Sequence, residues 1–373
     1  MGRENDYFTP EQLNEMQRKP FGDKVQISVA KILQIFNLTK GNVYVAFSGG
    51  KDSCVLLDLV AKCWTLSKYK DEPLTVLFAN TRCEYAGMIE HIHEYVNYIS
   101  EKYQIQIDYD QTDPDVNYRE VVQTNGYPVV SKLVANRVRR VREDMKKCGI
   151  TWDDIKDHVD QTVENAEYLR SLGMMNHTIS YVIGIKKDNT NASRMTKLNS
   201  RWLPLIHAPF EVSEECCYFL KKDPQRKLEK KYNLSPILGE MAVESNSRRN
   251  AYMSTGCVYE TGKDKYRGKP MGFWTEQDVY KYIKLNNLPI FKLYGEVVED
   301  ENGVLSLTGV RRTGCKLCMF GCAFKSSGIH QLKDLEPQTA RIALKPISEG
   351  GFGYGEVIKF LNEECKCKID LGE

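Results

Sequence analysis

No stretch of the chain approaches the roughly 18 consecutive apolar residues that a membrane span needs, and neither an internal repeat nor a low-complexity tract interrupts it. A dominant charge sign is missing too: 52 lysines and arginines stand against 50 acids, for a net charge of +2. That balance argues against a protein coated in nucleic acid or held on a membrane by bulk charge, so any basic groove has to be local. The opening stretch MGRENDYFTPEQLNEMQRKPF has no apolar core and does not read as a secretory signal. The expectation is a cytoplasmic protein with no membrane partner, in which the 12 cysteines are ligands, catalysts or buried fillers and not disulfides.

What is present is 373 residues, 42% of them hydrophobic, enough for one large α/β domain or two smaller ones sharing an interface. Residues 22–36 carry helical apolar spacing, LTKGN ends that run, and VYVAF reads as a strand. A turn, a second helix, the strand LTVLFAN, a third helix and the strand IQIDY follow. This βαβαβ rhythm predicts a doubly wound parallel sheet. From about 131 to 175 the pattern becomes helical and charged, as an insertion or cap would be. Residues 291–312, with DENG at the turn, predict a hairpin. The expected organisation is a helical lead-in over 1–40 and a nucleotide-binding domain over 41–255 that includes the insertion. A C-terminal region over 256–373 then carries the Cys-x-x-Cys segment and a helical tail.

The first strand runs into SGGKDS, residues 48–53. Gly49 and Gly50 let the backbone approach a ligand closely, while the first amides of the following helix point outward without partners. Phosphate is the natural guest. Lys51 adds a positive charge, Ser48 and Ser53 add hydroxyls, and Asp52 can orient the lysine or meet a magnesium ion that accompanies a nucleotide. A Walker A loop is excluded, because four residues would have to separate its first glycine from GK.

SGGKDS after a strand resembles the PP-loop of the N-type ATP pyrophosphatase superfamily. Within it the chain is similar to the phosphoadenylylsulfate (PAPS) reductase family, in particular its divergent bacterial and phage members. FANTRCEY (78–85), YPVVSK (127–132), CCYFLKKDP (216–224), ESNSRR (244–249), FWTEQDVYKYI (273–283) and RRTGCKLC (311–318) carry the resemblance across most of residues 41–322. It implies an adenine nucleotide alpha hydrolase-like fold that binds ATP or a sulfonucleotide. Lys51, Asp52 and Arg248 are its catalytic candidates, and Ser48, Gly49, Gly50, Ser53 and Asn80 complete the nucleotide site.

Cys216 and Cys217 are adjacent, and Cys315-x-x-Cys318 follows far downstream. Such soft thiolates suit zinc or an iron–sulfur cluster, and spacing alone does not separate them. The likeness of CC…LKK.P plus GC..C to the adenylylsulfate (APS) reductase branch implies a [4Fe–4S] cluster on Cys216, Cys217, Cys315 and Cys318. Because adjacent cysteines are awkward ligands, Cys257 or Cys322 is a possible substitute.

Two departures from the family matter. Its reductases use a C-terminal cysteine in ECG.H as nucleophile, whereas this chain ends NEECKCKIDLGE, leaving Cys365 or Cys367 for that role. Met241 and Ala242 also stand near the place of a sulfonucleotide-binding arginine pair. Three functions follow as expectations. The first is ATP cleavage to AMP and pyrophosphate supporting iron–sulfur-dependent sulfur transfer, with a sulfur donor and a nucleic-acid acceptor as partners. Arg137, Arg139, Arg140, Arg142, Lys146 and Lys147 are then a candidate phosphate-backbone surface, against their plainer reading as a solvated helix face. The second is sulfonucleotide reduction to sulfite with a thioredoxin-like donor. The third is a nucleotide-sensing iron–sulfur subunit of a larger complex. Oligomeric state has no signal.

Overall fold

Short, fully buried apolar runs form the centre of the fold. The computed structural model describes residues 8–325 and 327–372, so the first seven residues of the expected lead-in lie outside the described residues. Six strands, β1 (Val43–Ala46), β2 (Leu74–Ala79), β3 (Ile107–Thr112), β4 (Ser235–Ile237), β5 (Val258–Gly262) and β6 (Lys265–Gly268), make one sheet in the order β3-β2-β1-β4-β6-β5. All neighbours are parallel except β5 and β6. Val45 lies at the centre, paired with Val76 on one side and Ile237 on the other.

Burial on both faces explains why β1 and β2 read as continuous apolar runs. The helix Asp223–Tyr232 covers one face through Leu228, which packs with Tyr44 and Leu77. The helices Phe21–Thr39, Lys51–Thr65 and Met88–Tyr103 pack together with the sheet. The α/β class expected from the sequence is therefore observed, with a mostly parallel sheet flanked by helices.

Strand order gives the sheet a functional end. β1, β2 and β3 progress in one direction and β4 returns to the other side of β1, so the order reverses between β1 and β4. Open α/β sheets bind ligands at the carboxyl ends of strands beside such a reversal. The loop that leaves β1 there is SGGKDS.

The chain packs as two compact units. One holds the sheet and comprises the chain up to Asp113 together with Asp223–Gly314. Its frame includes a buried ion pair in which Lys24 Nζ lies 2.7 Å from Asp278 Oδ2. The same carboxylate caps the helix Glu276–Asn286 by accepting from the Thr275 amide and hydroxyl, each at 2.7 Å. The hairpin expected in 291–312 is present as β7 (Val297–Glu299) and β8 (Leu305–Leu307).

The other unit, Pro114–Lys222 with the chain from Cys315 onward, is helical. Its longest helix, Lys132–Cys148, lies in the expected insertion, and Tyr354–Glu363 lies in the expected helical tail. Within its core the Tyr118 and Tyr354 hydroxyls meet at 2.5 Å beside the Leu317 carbonyl.

Candidate active site

In the sheet-bearing unit, β1 ends at Ala46 and the helix Lys51–Thr65 begins immediately after Gly50. Gly49 has φ +70°, and a Cβ there would stand 2.7 Å from both Ile92 and Met88. No other residue satisfies both demands, because a left-handed backbone and a closed space coincide. Ser53 closes the turn: its hydroxyl donates to the Gly50 carbonyl at 2.8 Å and accepts from the Ser48 amide at 3.3 Å. The loop after β4 also comes close, since a Cβ on Gly239 would lie 3.3 Å from the Asp52 carbonyl.

Lys51 is buried at 2% exposure, although lysine is rarely buried unless paired. Its Nζ lies 3.3 Å from Asp52 Oδ2 and 3.8 Å from Glu276 Oε1, with the Tyr280 and Tyr294 rings each 5.9 Å away. The Lys51 amide donates to the Tyr294 hydroxyl at 3.3 Å, and that hydroxyl meets Thr313 Oγ1 at 2.6 Å. Arg311 grips Glu276 through Nε at 2.9 Å and Nη2 at 2.6 Å. Burial works to raise the Glu276 carboxyl, but Arg311, Tyr280 and Lys51 together outweigh it and hold the group below the usual carboxylate range.

Asp52 behaves oppositely. Burial pushes its carboxyl up, Lys51 opposes this, and the facing Glu244 carboxylate adds to the rise. Its Oδ1 is buried and makes no hydrogen bond. Arg248, the other catalytic candidate, is ion-paired with Glu244. Asn80 stands just beyond β2, where its Oδ1 accepts from the Arg82 amide at 2.9 Å and closes a turn. Ser48, Gly49, Gly50, Lys51, Asp52 and Ser53 thus form one contiguous turn, Arg248 meets it through Glu244, and Asn80 belongs to the next loop.

Glu276, Tyr280, Tyr294, Arg311 and Thr313 were not among the sequence-derived site residues. Their signal was thin: Glu276 reads as a first-turn helix acid and Arg311 as the start of a motif. Only tertiary structure brings them to residue 51.

The helical unit carries the thiols. Cys216 Sγ lies 4.0 Å from Cys217 Sγ, and Cys318 and Cys315 face Cys216. The Cys318 amide donates to the Cys315 carbonyl at 3.0 Å, which folds the C-x-x-C segment into a turn. Cys217 accepts from Cys216 and faces Lys132 and Lys221, which hold it below the ordinary thiol value despite burial. Cys216, as donor, is held above it. Burial, reinforced by Cys315, pushes Cys318 up to about 12. Among the described residues no group of three or more His, Cys, Asp or Glu already stands at metal-ligand geometry. The four thiols are neighbours without being a closed coordination shell.

The two possible substitutes lie elsewhere. Cys257 belongs to the sheet-bearing unit, where it meets the Tyr252 hydroxyl at 3.5 Å. Cys322 faces Cys367 and Cys365. Three of the six candidate basic residues at 137–147 are also committed. Arg137 donates to the Met195 carbonyl, and Arg139 pairs with Glu214 and Glu143, each at 2.8 Å. Arg142 donates to the carbonyls of Ile206, Ala208 and Phe210. These three arginines staple the helix to its own unit.

The Phosphoadenosine phosphosulfate reductase domain family model matches residues 42–149 and 150–319, together most of the chain. The chain belongs to this family. PAPS reductase family membership makes it an enzyme of the PAPS reductase-like type, with a nucleotide as the fitting substrate. Among solved structures it is similar to phosphoadenylyl-sulfate (PAPS) reductase from Candida auris in its phosphate complex. That match has 12% identity and a TM-score of 0.35, and covers 80% of this chain and 98% of that one. A search of curated proteins finds no significant match. No helix among the described residues is long and apolar enough to cross a membrane.

Proposed function

We propose that this PAPS-reductase-family enzyme binds magnesium–ATP at residues 48–53, cleaves it to AMP and pyrophosphate, and supports sulfur transfer in the cytoplasm with a [4Fe–4S] cluster. The observation that carries the choice of nucleotide is the unpartnered, buried Asp52 Oδ1. A buried carboxylate oxygen without a donor is costly unless a cation completes it. Two of the positive groups near it are already matched, Arg248 with Glu244 and Arg311 with Glu276, while Arg312 also acts on Asp52. Such a site suits an anion that brings its own divalent metal better than a bare sulfonucleotide.

Asp52 would hold magnesium, which offsets charge on the phosphates. Lys51 and the loop amides would meet the pyrophosphate as the bond between the α and β phosphates breaks and negative charge develops there. An acceptor oxygen attacks the α-phosphorus, pyrophosphate leaves, and a sulfur donor then displaces AMP from the adenylylated acceptor. Nucleic acid is our proposed acceptor class.

The soft donor set of Cys216, Cys217, Cys315 and Cys318 fits an iron–sulfur cluster, and at Cys217 the hydrogen bond from Cys216, with Lys132 and Lys221 beside it, favours the thiolate form that ligation requires. When bound, the cluster supplies an electron-rich centre able to handle sulfide.

A second reading, sulfonucleotide reduction with a thioredoxin-like donor, is favoured by the cysteines of the tail, although Cys365 is fully buried. Anaerobically purified protein incubated with ATP and magnesium distinguishes the two. AMP and pyrophosphate from iron-bearing protein support the proposal. Intact ATP, together with sulfite released from APS or PAPS when thioredoxin is supplied, overturns it. ATP bound tightly without turnover points instead to a nucleotide-sensing subunit.

A further inference from the structure

The sheet has a second charged end. β4 begins at Ser235, paired with Val43 at the start of β1, and β6 begins at Lys265 and runs parallel to β4. Their amino ends therefore lie opposite residues 48–53, which follow the carboxyl end of β1. At these amino ends, against the helix Asp223–Tyr232, is a cavity of about 160 Å³. One water needs only ~10–15 Å³. The nucleotide site proposed at 48–53 makes no use of it.

The charges that line the cavity do not balance. Arg226, Lys230, Lys265 and Arg267 stand against a single acid, Glu229. That acid is already engaged: the Tyr44 hydroxyl donates to its Oε1 at 2.6 Å, whereas Arg267 Nη2 reaches the same oxygen only at 3.8 Å. Lys230 and Lys265 have no ion-pair partner among the described residues. Four cations around one small volume repel one another until an anion enters.

The deciding observation lies deeper. Arg267 Nε is buried and makes no hydrogen bond among the described residues. A buried N–H without an acceptor is costly, and a bound acceptor removes that cost. Ser235, also buried, accepts from the Tyr266 amide at 3.2 Å, which leaves its hydroxyl proton to donate. A guanidinium, a hydroxyl and two ammonium groups thus share one space as donors. Such a set matches a tetrahedral oxyanion, whose oxygens accept from several directions at once. A nucleic-acid backbone would instead call for charges spread along a groove.

We propose that this cavity is a second anion site, separate from the nucleotide loop, that takes a phosphate group, either free or at the end of a phosphate monoester. Arg267 and Ser235 hold its oxygens, and the exposed Arg226, Lys230 and Lys265 balance its charge at the rim. Glu229 keeps to the Tyr44 hydroxyl and leaves Arg267 Nε to the anion.

The test reads this cavity and not the nucleotide loop. The full chain is acylated at lysine during a titration with inorganic phosphate, against chloride at matched ionic strength, and the rate at each lysine is followed by peptide mass spectrometry. At ten times the half-protecting concentration, Lys230 and Lys265 are expected to react about tenfold more slowly, because only about one site in eleven is then open. Exposed lysines elsewhere keep their rates, and Arg267→Gln loses the protection. Glycerol 3-phosphate separates the two sources: equal protection assigns the site to the phosphate group of a larger molecule, and weaker protection assigns it to free phosphate. Rates at Lys230 and Lys265 that never depart from the chloride control, or undiminished protection in Arg267→Gln, would overturn the proposal. If Arg267→Gln does not fold, the titration of the unaltered chain decides by itself.

Discussion

The two units solve opposite electrostatic problems. Around Lys51 the sheet-bearing unit sets opposite charges beside each other, so Lys51, Glu276, Arg311, Glu244 and Arg248 are paired and Asp52 Oδ1 is left over. Around Cys216 the helical unit sets like groups beside each other, and neighbouring thiols make ionisation of Cys216 and Cys318 harder. A site of the first kind is nearly complete without its ligand. One of the second kind becomes favourable only when a cation with several vacancies replaces the protons. The difference teaches how each site balances its charges: the first with its own ion pairs, the second, on the proposed reading, with the cation it would bind.

The comparison breaks most cleanly at Cys318. Cys318→Ser removes a soft ligand from the four-thiol group, and we expect anaerobically purified protein to lose nearly all its iron while nucleotide affinity is unchanged. Iron retained at the unaltered level would exclude Cys318 as a ligand. Next in size is the buried pair in the frame of the other unit. Asp278→Ala strands the Lys24 ammonium and removes a helix cap, with an expected loss of about 3–5 kcal/mol in denaturant unfolding. A loss within the range of an exposed ion pair would mean that water reaches Lys24. Lys51→Ala deletes a charge-assisted phosphate contact worth about 1.5–3 kcal/mol, which predicts roughly tenfold to hundredfold weaker nucleotide binding by calorimetry. Iron content should stay constant, and a parallel fall in iron would show that the two sites are not separable.

These sites were unequally legible in the sequence. The βαβαβ rhythm and the turn at 48–53 are local, because apolar runs and a glycine pair carry their meaning within a few residues. The β5–β6 hairpin was missed. VYETGKDKYRG is short and charged, and its turn places Asp264 at φ +58°, with no Asn-Gly or Asp-Gly to announce it. Glu276 was invisible as a partner of Lys51, and Arg311 as the partner of Glu276, since pairing across so much chain depends on how the helix Glu276–Asn286 packs. The basic helix misled in part: a run of arginines looks the same whether it faces solvent or, like Arg142, caps carbonyls of its own unit. Cysteine spacing suggested the group of four but did not show that Cys322 faces the tail.

The smallest expected effect tests the unpartnered Asp52 Oδ1. Burial raises the folded-state pKa of Asp52, so over the window just above the usual carboxylate range the folded chain holds a proton that the unfolded chain has released. Stability from this group is therefore present at low pH and lost as pH rises through that window, the reverse of a salt-bridged aspartate. Asp52→Asn removes the charge and with it this dependence. A magnesium ion on Oδ1 would restore the lost stability in the unaltered protein alone. In the presence of nucleotide at neutral pH, magnesium is then expected to raise the melting temperature by about 3 °C more in the unaltered chain than in Asp52→Asn, which corresponds to roughly 1 kcal/mol for a unit of this size. Equal rises in both proteins would place the metal on the phosphates alone and leave the buried oxygen as a fixed cost of holding Lys51.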